Sequence, residues 1–336
     1  MLSICIVLAL SGACSEPVTL ESRLDDVAQH AKEQGELNGN VLIARGDQVL
    51  YERSFGPADA AEQLDNTPDT KFSVASISKS FTAVLVMQLV QAGKVAPASQ
   101  LSTILPNLAG KPAGAITLHQ LLTHTSGIKE LISRDPMKRM TRLDLESAVI
   151  KPHAGFEYSN TGFVCLALIV EQLTGDSYEA ALQRGIFTPA GMNDSGVLRT
   201  GRKVAGLARG HRGVIGLVPV DADFAPEAVD GAGSIYSTAR DLWRFDRALA
   251  AGKILSREMQ GLMYRQHVPD RYGYGWFLSE QGGRYYPWHS GDMAGYSASL
   301  VRQIQRDEAI IILGNTGSTE ARVLQKEFLQ LLKAQP

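Results

Sequence analysis

The sequence predicts an α+β fold in which one antiparallel sheet, flanked by helices, takes its strands from both ends of the chain. Strand-like patterns occur before residue 56 and again after residue 272, whereas helical patterns joined by Pro- and Gly-containing loops fill the stretch between them. The 336 residues, 44% of them hydrophobic, are enough for a large core. We expect an α/β lobe from residues 15–90 and 266–336, a mainly helical lobe from residues 91–265, and an active site between the lobes.

The first predicted elements are a helix and a β-hairpin. Apolar residues at helical spacing predict a surface helix within residues 18–36. Val41–Arg45 and Gln48–Arg53 have strand character, and Gly46-Asp47 between them predicts a tight turn. The next apolar run, Thr82–Val90, contains only two polar residues, which predicts a helix that is buried on all sides.

The rest of the chain is predicted as helices followed by strands. The helical patterns are Thr117–Leu122, Arg142–Ile150, Thr161–Leu173, Ser177–Phe187, Thr238–Ala251 and Ser256–Gln266. The strand patterns are Tyr272–Leu278, Tyr285–His289, Tyr296–Gln303 and Glu308–Leu313, with an amphipathic helix over Thr319–Lys333.

Charge and cysteine content exclude some classes of protein. The 33 basic and 35 acidic residues give a net charge of -2, and no long basic run is present, so nucleic acid is not an expected partner. Cys5 and Cys14 lie in the N-terminal segment, which leaves Cys165 alone in the body of the chain. We therefore expect no disulfide within the folded domain and a core position for Cys165.

The N-terminal segment predicts export. Residues 1–14 form a short apolar run followed by small residues, as in a secretory signal peptide. Leu10–Cys14 also resembles a bacterial lipobox, in which the cysteine is lipidated. The segment therefore predicts a periplasmic or cell-envelope protein, and membrane anchoring through a lipidated Cys14 or simple cleavage of the leader both stay open.

Ser76 and Lys79 form the first candidate for catalytic chemistry. Residues three apart on a helix share one face, so the two side chains would lie together at the start of the predicted buried helix. A hydroxyl beside a partly desolvated amine is one way to make a serine nucleophilic. The same spacing occurs at Ser126 and Lys129, so the pair needs support from the rest of the chain.

Two further short patterns follow in order. Tyr158-Ser159-Asn160 comes just before a predicted helix, and His289-Ser290-Gly291 lies between two predicted strands. Other His-x-Gly patterns occur at His153 and His211, whereas Tyr-x-Asn occurs once. Each pattern is weak alone, and the order of all three carries the information.

In this order the three patterns resemble those of the penicillin-recognising serine hydrolases. The nearest branch comprises the class C β-lactamases, the DD-peptidases, the D-aminopeptidases and related esterases. The family's order favours His289 as the third pattern, because strands and a terminal helix follow it. The resemblance implies a β-lactamase/DD-peptidase-like fold, hydrolysis through an acyl-enzyme, and no metal ion or other cofactor.

The resemblance also implies roles for the residues that carry the reaction. Ser76 is the expected nucleophile, and Lys79 and Tyr158 are expected to move protons as a coupled pair. Which of these two is the general base stays open. The backbone N–H groups of Ser76 and Asp292 are expected to bind the oxyanion.

Three more residues are expected to bind the substrate. Asn160 would hydrogen-bond the substrate amide or Lys79. His289 and Gly291 would point to the same side of their strand, and the missing side chain of Gly291 would let the substrate approach the strand backbone. His124, in another stretch that resembles the family, is expected either to support the site residues from behind or to be structural.

The expected substrate is a small molecule, ester or peptide, including a cell-wall peptide. Many β-lactamases carry lysine where this chain has His289, so peptide or ester cleavage is favoured over efficient β-lactam hydrolysis, and weak β-lactamase activity stays open. The alternative is a non-catalytic cell-wall-binding or sensor protein on the same fold. The presence of Ser76, Lys79 and Tyr158 favours the enzyme, because a protein that no longer catalysed a reaction would not need to keep these residues.

Overall fold

The computed structural model describes residues 19–131, 138–141, 144–151, 155–213, 217–220, 225–281 and 283–334. The predicted leader and its lipobox cysteine lie outside the described residues. None of the described helices is long and apolar enough to cross a bilayer.

Strands from both ends of the chain form one six-stranded antiparallel sheet in the order β10-β11-β12-β13-β1-β2. The strands of the described residues are β1 (Gly39–Arg45), β2 (Gln48–Phe55), β3 (Pro57–Asp59), β4 (Leu64–Asp65), β5 (Phe72–Ser73), β6 (Gly196–Val197), β7 (His211–Arg212), β8 (Val218–Pro219), β9 (Ile235–Ser237), β10 (Phe277–Gln281), β11 (Arg284–Met293), β12 (Tyr296–Gln303) and β13 (Glu308–Gly314). The predicted origin of the sheet is therefore confirmed.

Helices cover both faces of this sheet. They are α1 (Leu20–Glu33), α2 (Ser78–Gln91), α3 (Leu101–Ile104), α4 (Leu118–Leu122), α5 (Asn160–Thr174), α6 (Tyr178–Leu182), α7 (Thr188–Ala190), α8 (Ala239–Ala250), α9 (Arg257–Met263) and α10 (Ala321–Lys333). Because side chains alternate along a strand, Ile43 of β1 packs with Leu24 of α1 and Phe328 of α10, whereas Leu42 and Ala44 join the larger core around α2.

Helix α2 is the predicted helix that is buried on all sides. Its polar side chains are satisfied internally: the Ser80 hydroxyl donates to the carbonyl oxygen of Gly275 at 2.9 Å, and the Thr82 hydroxyl donates to that of Gly231 at 2.7 Å. Phe81 stacks on Phe245 of α8 with ring centroids 4.1 Å apart. Helix α2 is therefore fixed in position by packing from both the sheet side and the helical side.

Helix α8 packs on the sheet, although it falls in the range predicted for the helical lobe. Its buried face includes Phe245 and Leu249. Asp246 forms a buried ion pair with Arg302 of β12, and the Trp243 indole donates to the carbonyl oxygen of Gly46 beside β1. The contacts of the sheet therefore extend into the range 91–265, because α8 has an apolar stripe that fits the face opposite α1 and α10.

The helix predicted for Arg142–Ile150 is wrong in the described part of that range. A single 3₁₀ turn, Asp144–Ser147, forms there. Ile150 instead pairs with Ile128 in an antiparallel bridge. A tertiary contact with the preceding loop therefore overrides the local helical pattern.

The strand predicted to begin at Tyr272 begins at Phe277 instead. Gly275, between them, has a φ of 72° and lies against the backbone of α2. A Cβ there would be 2.8 Å from the carbonyl oxygen of Lys79 and 2.6 Å from the Cβ of Ala83. The chain turns at this close approach before it joins the sheet.

Candidate active site

Ser76 lies in a 3₁₀ turn, Ala75–Ile77, that leads directly into α2. Ala75 has a positive φ of 45°, a conformation that residues with a side chain rarely adopt. Two hydrogen bonds to β9 hold the turn: the Val74 N–H donates to the carbonyl oxygen of Ile235 at 3.0 Å, and the Ile235 N–H donates to Ser78 Oγ at 3.1 Å. The turn therefore presents a half-buried Ser76 at the start of a buried helix.

The amine of Lys79 is fully buried beside Ser76 and contacts three oxygen atoms. Nζ lies 3.1 Å from Ser76 Oγ, 2.7 Å from Asn160 Oδ1 and 2.9 Å from the carbonyl oxygen of Ala232. Desolvation lowers the pKa of Lys79 from its ordinary value to about 7, and the charge of Glu130 opposes part of this shift. The neutral amine is therefore well populated near neutral pH.

The neutral amine fits the three contacts. It has two hydrogens and one lone pair. The oxygen atoms of Asn160 and Ala232 only accept hydrogen bonds, so they take the two hydrogens. The lone pair then faces the Ser76 hydroxyl, which is the geometry that a base needs to remove the serine proton.

Glu130 holds the start of α5 and does not pair directly with the amine. Its carboxylate accepts hydrogen bonds from the N–H groups of Asn160 at 3.0 Å and Thr161 at 3.1 Å, and also from the Thr161 hydroxyl. A carboxylate is stabilised at a helix N-terminus, where the first N–H groups have no partner within the helix. Glu130 therefore fixes Asn160, whose side chain accepts a hydrogen bond from Lys79.

Tyr158 lies across the amine at the mouth of the site. Its ring centroid is 4.7 Å from Lys79 Nζ, and its hydroxyl is near enough to the Ser76 side chain for Ser76 to lower the phenol pKa in part. Desolvation raises the pKa of the phenol well above its ordinary value, although 38% of the residue surface is exposed. The phenol therefore keeps its proton at neutral pH.

Strand β11 brings Gly291 against the Ser76 turn. Strand β10 pairs with β11 only as far as Trp288, so no strand among the described residues lies beside the remainder of β11 on that side. A Cβ on Gly291 would lie 2.2 Å from the carbonyl oxygen of Val74 and 2.8 Å from Ser76 N. The missing side chain of Gly291 therefore makes room for the backbone around Ser76, and the expected approach of a substrate to the strand backbone stays a prediction.

Two buried histidines and Tyr272 form a hydrogen-bonded chain behind the site. The Ser159 N–H donates to His124 Nδ1 at 3.0 Å, which leaves the His124 hydrogen on Nε2, 3.2 Å from the Tyr272 hydroxyl oxygen. The Tyr272 hydroxyl donates to His289 Nε2 at 3.4 Å, and His289 Nδ1 donates to the carbonyl oxygen of Ser290 at 2.6 Å. The accepting Nδ1 requires the His124 ring to be neutral, and the same chain of contacts is completed by a neutral His289 that carries its hydrogen on Nδ1.

The neutral state of both rings also follows from burial. Desolvation lowers the pKa of His289 to about 3, and the nearby charge of Lys79 acts in the same direction. The pKa of His124 lies well below its ordinary value, chiefly because of desolvation. His289 therefore contributes hydrogen bonds but no positive charge at neutral pH, unlike a lysine in the same place.

Four of the predicted site residues line one cavity of about 560 Å³: Ser76, Tyr158, His289 and Asp292. Lys79, Asn160 and Gly291 are not part of its lining. The Asp292 carboxylate accepts a hydrogen bond from the Ser297 hydroxyl at 2.9 Å. In the part of the chain that the structure describes, no group of three or more His, Cys, Asp or Glu side chains is arranged to hold a metal ion.

The competing matches to the three patterns lie elsewhere. Ser126 is buried in a loop, whereas Lys129 is exposed, so the second Ser-x-x-Lys pair does not form a contact like that of the first. His211 hydrogen-bonds Asn315 instead of residues of the site. His153 lies outside the described residues.

The site and the fold match known proteins over most of the chain. The β-lactamase family model matches residues 24–335. The chain belongs to the β-lactamase family. Penicillin-binding protein 4 of Amycolatopsis lactamdurans is 28% identical over 323 residues, which cover 88% of this chain and 84% of the relative.

Solved structures give the same result. The structure of D-amino acid amidase from Ochrobactrum anthropi with D-phenylalanine matches this β-lactamase-family chain with a TM-score of 0.83 at 25% identity, covering 94% of this chain and 99% of that one. A penicillin-binding protein from Bacillus halodurans has a TM-score of 0.79 at 26% identity, covering 90% and 99%. These matches confirm the predicted resemblance and the α+β fold, and they identify the chain as a serine hydrolase of the β-lactamase fold.

Residues outside the three patterns also build the site. Glu130 and Tyr272 are not evident from the sequence, because their contacts join segments far apart in the chain. His124, expected to support the site or to be structural, contacts Tyr158 with ring centroids 4.4 Å apart and so supports the site. Its position within a stretch that resembles the family is the only sequence indication of this role.

The contact at Gly291 predicts the effect of adding a methyl group. Gly291→Ala should lower the rate of Ser76 acylation by about 100-fold, the scale of losing one oxyanion donor, because the Cβ forces β11 away from the Ser76 turn. The rate of covalent labelling by a fluorophosphonate would measure this. Gly261→Ala is the control, since a Cβ there meets no atom within 4 Å. Equal labelling rates in the two variants would contradict the interpretation.

The hydrogen-bonded chain predicts a specific effect of removing one hydroxyl. Tyr272→Phe should lower kcat/KM for a neutral ester by about 5- to 20-fold, because both histidines lose a buried partner. Tyr178→Phe removes another buried hydroxyl, which contacts Thr82 away from the site. The control should lose stability on denaturant unfolding but keep kcat/KM. If both variants lost kcat/KM, the loss in Tyr272→Phe would be explained by general destabilisation and not by its hydrogen bonds to the histidines.

Proposed function

We propose that Ser76 attacks the carbonyl carbon of an amide or ester and forms an acyl-enzyme that water then hydrolyses. The observation that carries this proposal is the buried amine of Lys79, which lies 3.1 Å from Ser76 Oγ with a pKa of about 7. An amine with this pKa is a competent base at neutral pH and needs no cofactor to act.

Proton transfer divides between Lys79 and Tyr158. Lys79 accepts the hydroxyl proton of Ser76 as the new C–O bond forms. Tyr158 keeps its phenol proton at neutral pH, which suits it as the acid that protonates the departing nitrogen or oxygen. Tyr158 then regains a proton from the Lys79 ammonium, and the neutral amine is restored. The proposal therefore makes Lys79 the base and Tyr158 the acid of acylation.

The oxyanion of the tetrahedral intermediate would be bound by the N–H groups of Ser76 and Asp292. The close approach of β11 to the Ser76 turn supports this assignment, because it brings the two backbone segments into contact. Fixed backbone donors stabilise the developing charge without reorganisation.

The proposed substrates are peptides, amides or esters, with β-lactams as poor substrates at most. A neutral His289 supports this choice, because it lacks the positive charge that many β-lactamases have at this position. The names of similar proteins are consistent with it, since they include penicillin-binding proteins and a D-amino acid amidase. Turnover of nitrocefin, 4-nitrophenyl butyrate and a D-amino acid amide by the same preparation would rank the three classes.

The nucleophile can be tested by covalent labelling. Ser76→Ala should abolish labelling by a fluorescent penicillin and by a fluorophosphonate, because the reacting oxygen is removed. Ser126→Ala, at the second Ser-x-x-Lys pair, should be labelled like the wild type. Intact protein mass would locate the adduct. Labelling of Ser76→Ala would refute the assignment, and a folded wild type that neither labels nor turns over any substrate would favour a binding or sensor protein.

The lowered pKa of Lys79 predicts the pH dependence. Because the neutral amine is the active form, kcat/KM for 4-nitrophenyl butyrate should rise with pH and level off above a midpoint near 7. His289 has a pKa of about 3 and should add no step near this midpoint. Lys79→Arg should lose activity by at least about 100-fold, since an arginine stays protonated. Lys129→Arg is the control, and a flat profile from pH 5.5 to 8.5 would exclude Lys79 as the base.

A further inference from the structure

A second cavity of about 420 Å³ adjoins the active-site cavity on the outer side of the sheet. The two cavities share Arg271, Ser279, Trp288 and Arg322 in their linings. They therefore form one groove, which runs from Ser76 across the β10–β11 edge to α10.

The outer cavity is strongly basic. Four cations line it, Arg271, Arg322, Lys326 and Lys333, against the single carboxylate of Glu280. Arg271, Arg322 and Lys326 form no ion pair with any residue that the structure describes. Positive charge without a partner, concentrated in a concave surface, attracts an anionic ligand.

The Arg322 guanidinium is held in position, because it lies over the Trp288 ring, 4.8 Å from its centroid. Lys326 follows on the same face of α10 four residues later. The backbone of Arg271, which has a positive φ of 56°, accepts a hydrogen bond from the Leu278 N–H at 2.7 Å. A guanidinium held like that of Arg322 loses less entropy when it binds a planar carboxylate.

The geometry also indicates which end of a substrate reaches the cavity. Trp288 precedes Gly291 by three residues on β11, or about 10 Å along the strand. Tyr158, the proposed acid for the leaving group, lies toward Trp288, since it stacks on Phe277, which pairs with Trp288. The proposed oxyanion donor, Asp292, lies in the opposite direction along β11. The leaving group therefore points into the basic cavity.

We propose that the outer cavity binds a carboxylate at the far end of the leaving group, so that the preferred substrate releases a short acidic peptide. An extended chain covers about 3.3–3.6 Å per residue, which places the carboxylate about three residues from the bond that is cleaved. The orientation rests on the proposed function, whereas the presence of an anion site does not.

A matched pair of substrates tests this proposal. Both are butyryl thioesters. The leaving thiol is mercaptoacetyl-Gly-Glu in the anionic substrate and mercaptoacetyl-Gly-Gln-amide in the neutral one. A colorimetric thiol reagent measures the rate at which the thiol is released. The wild type should prefer the anionic thioester on the order of 10-fold in kcat/KM, and less at high salt. Arg322→Gln and Lys326→Gln should each lower this preference by about 3- to 5-fold. Lys32→Gln, on the exposed side of α1, is the matched control and should keep it.

Two outcomes would overturn the proposal. In the first, the wild type shows no preference for the anionic thioester, or Arg322→Gln and Lys326→Gln both leave the preference unchanged. The other comes from calorimetry with Ser76→Ala, a measurement that needs no turnover. If inorganic phosphate bound this variant as tightly as acetyl-Gly-Gly-Glu does, the cavity would be a site for any anion and not for a peptide carboxylate. Failure of the proposed function is separate, because it would appear as turnover of the neutral thioester by Ser76→Ala.

Discussion

The proposed chemistry depends on an amine that is kept out of water, with no carboxylate of the described residues paired to it. Lys79 is surrounded by the oxygens of Asn160 and Ala232 and by an aromatic ring, all of them uncharged. The nearest acidic group with an effect on it, Glu130, has its oxygen atoms engaged by the start of α5. A direct ion pair would hold the amine in its charged form, whereas this arrangement lets desolvation dominate.

Two glycines allow the C-terminal part of the chain to approach this amine closely. Gly275 lies against the carbonyl oxygen of Lys79, and Gly291 lies against the backbone nitrogen of Ser76. A side chain at either position would collide with backbone, which cannot move as a flexible side chain does. The C-terminal part of the chain and the turn before α2 therefore meet at backbone distance, and the site depends on both contacts.

The parts of the site that were predictable from the sequence are local in the chain. The spacing of Ser76 and Lys79 and the apolar character of α2 are visible within a few residues. Tyr272 was not predictable as a link between histidines, because it contacts His124 across 148 positions of sequence. The helix wrongly predicted for Arg142–Ile150 has the same cause, since the pairing of Ile150 with Ile128 determines the backbone conformation there. Sequence pattern indicates the reacting groups here, and tertiary contacts decide what supports them.

The order of strands in the sheet also has a consequence for how the chain folds. Strand β1 lies between β2 and β13, and its first residue, Gly39, is paired with Gly314. A chain emerging from the ribosome can form the β1–β2 hairpin early, but the other edge of β1 stays open until β13 has been made. Contacts this distant are slow to form, and unpaired edges expose a growing chain to aggregation. The surroundings of Ser76 are therefore completed only after β13 has been made and has paired with β1.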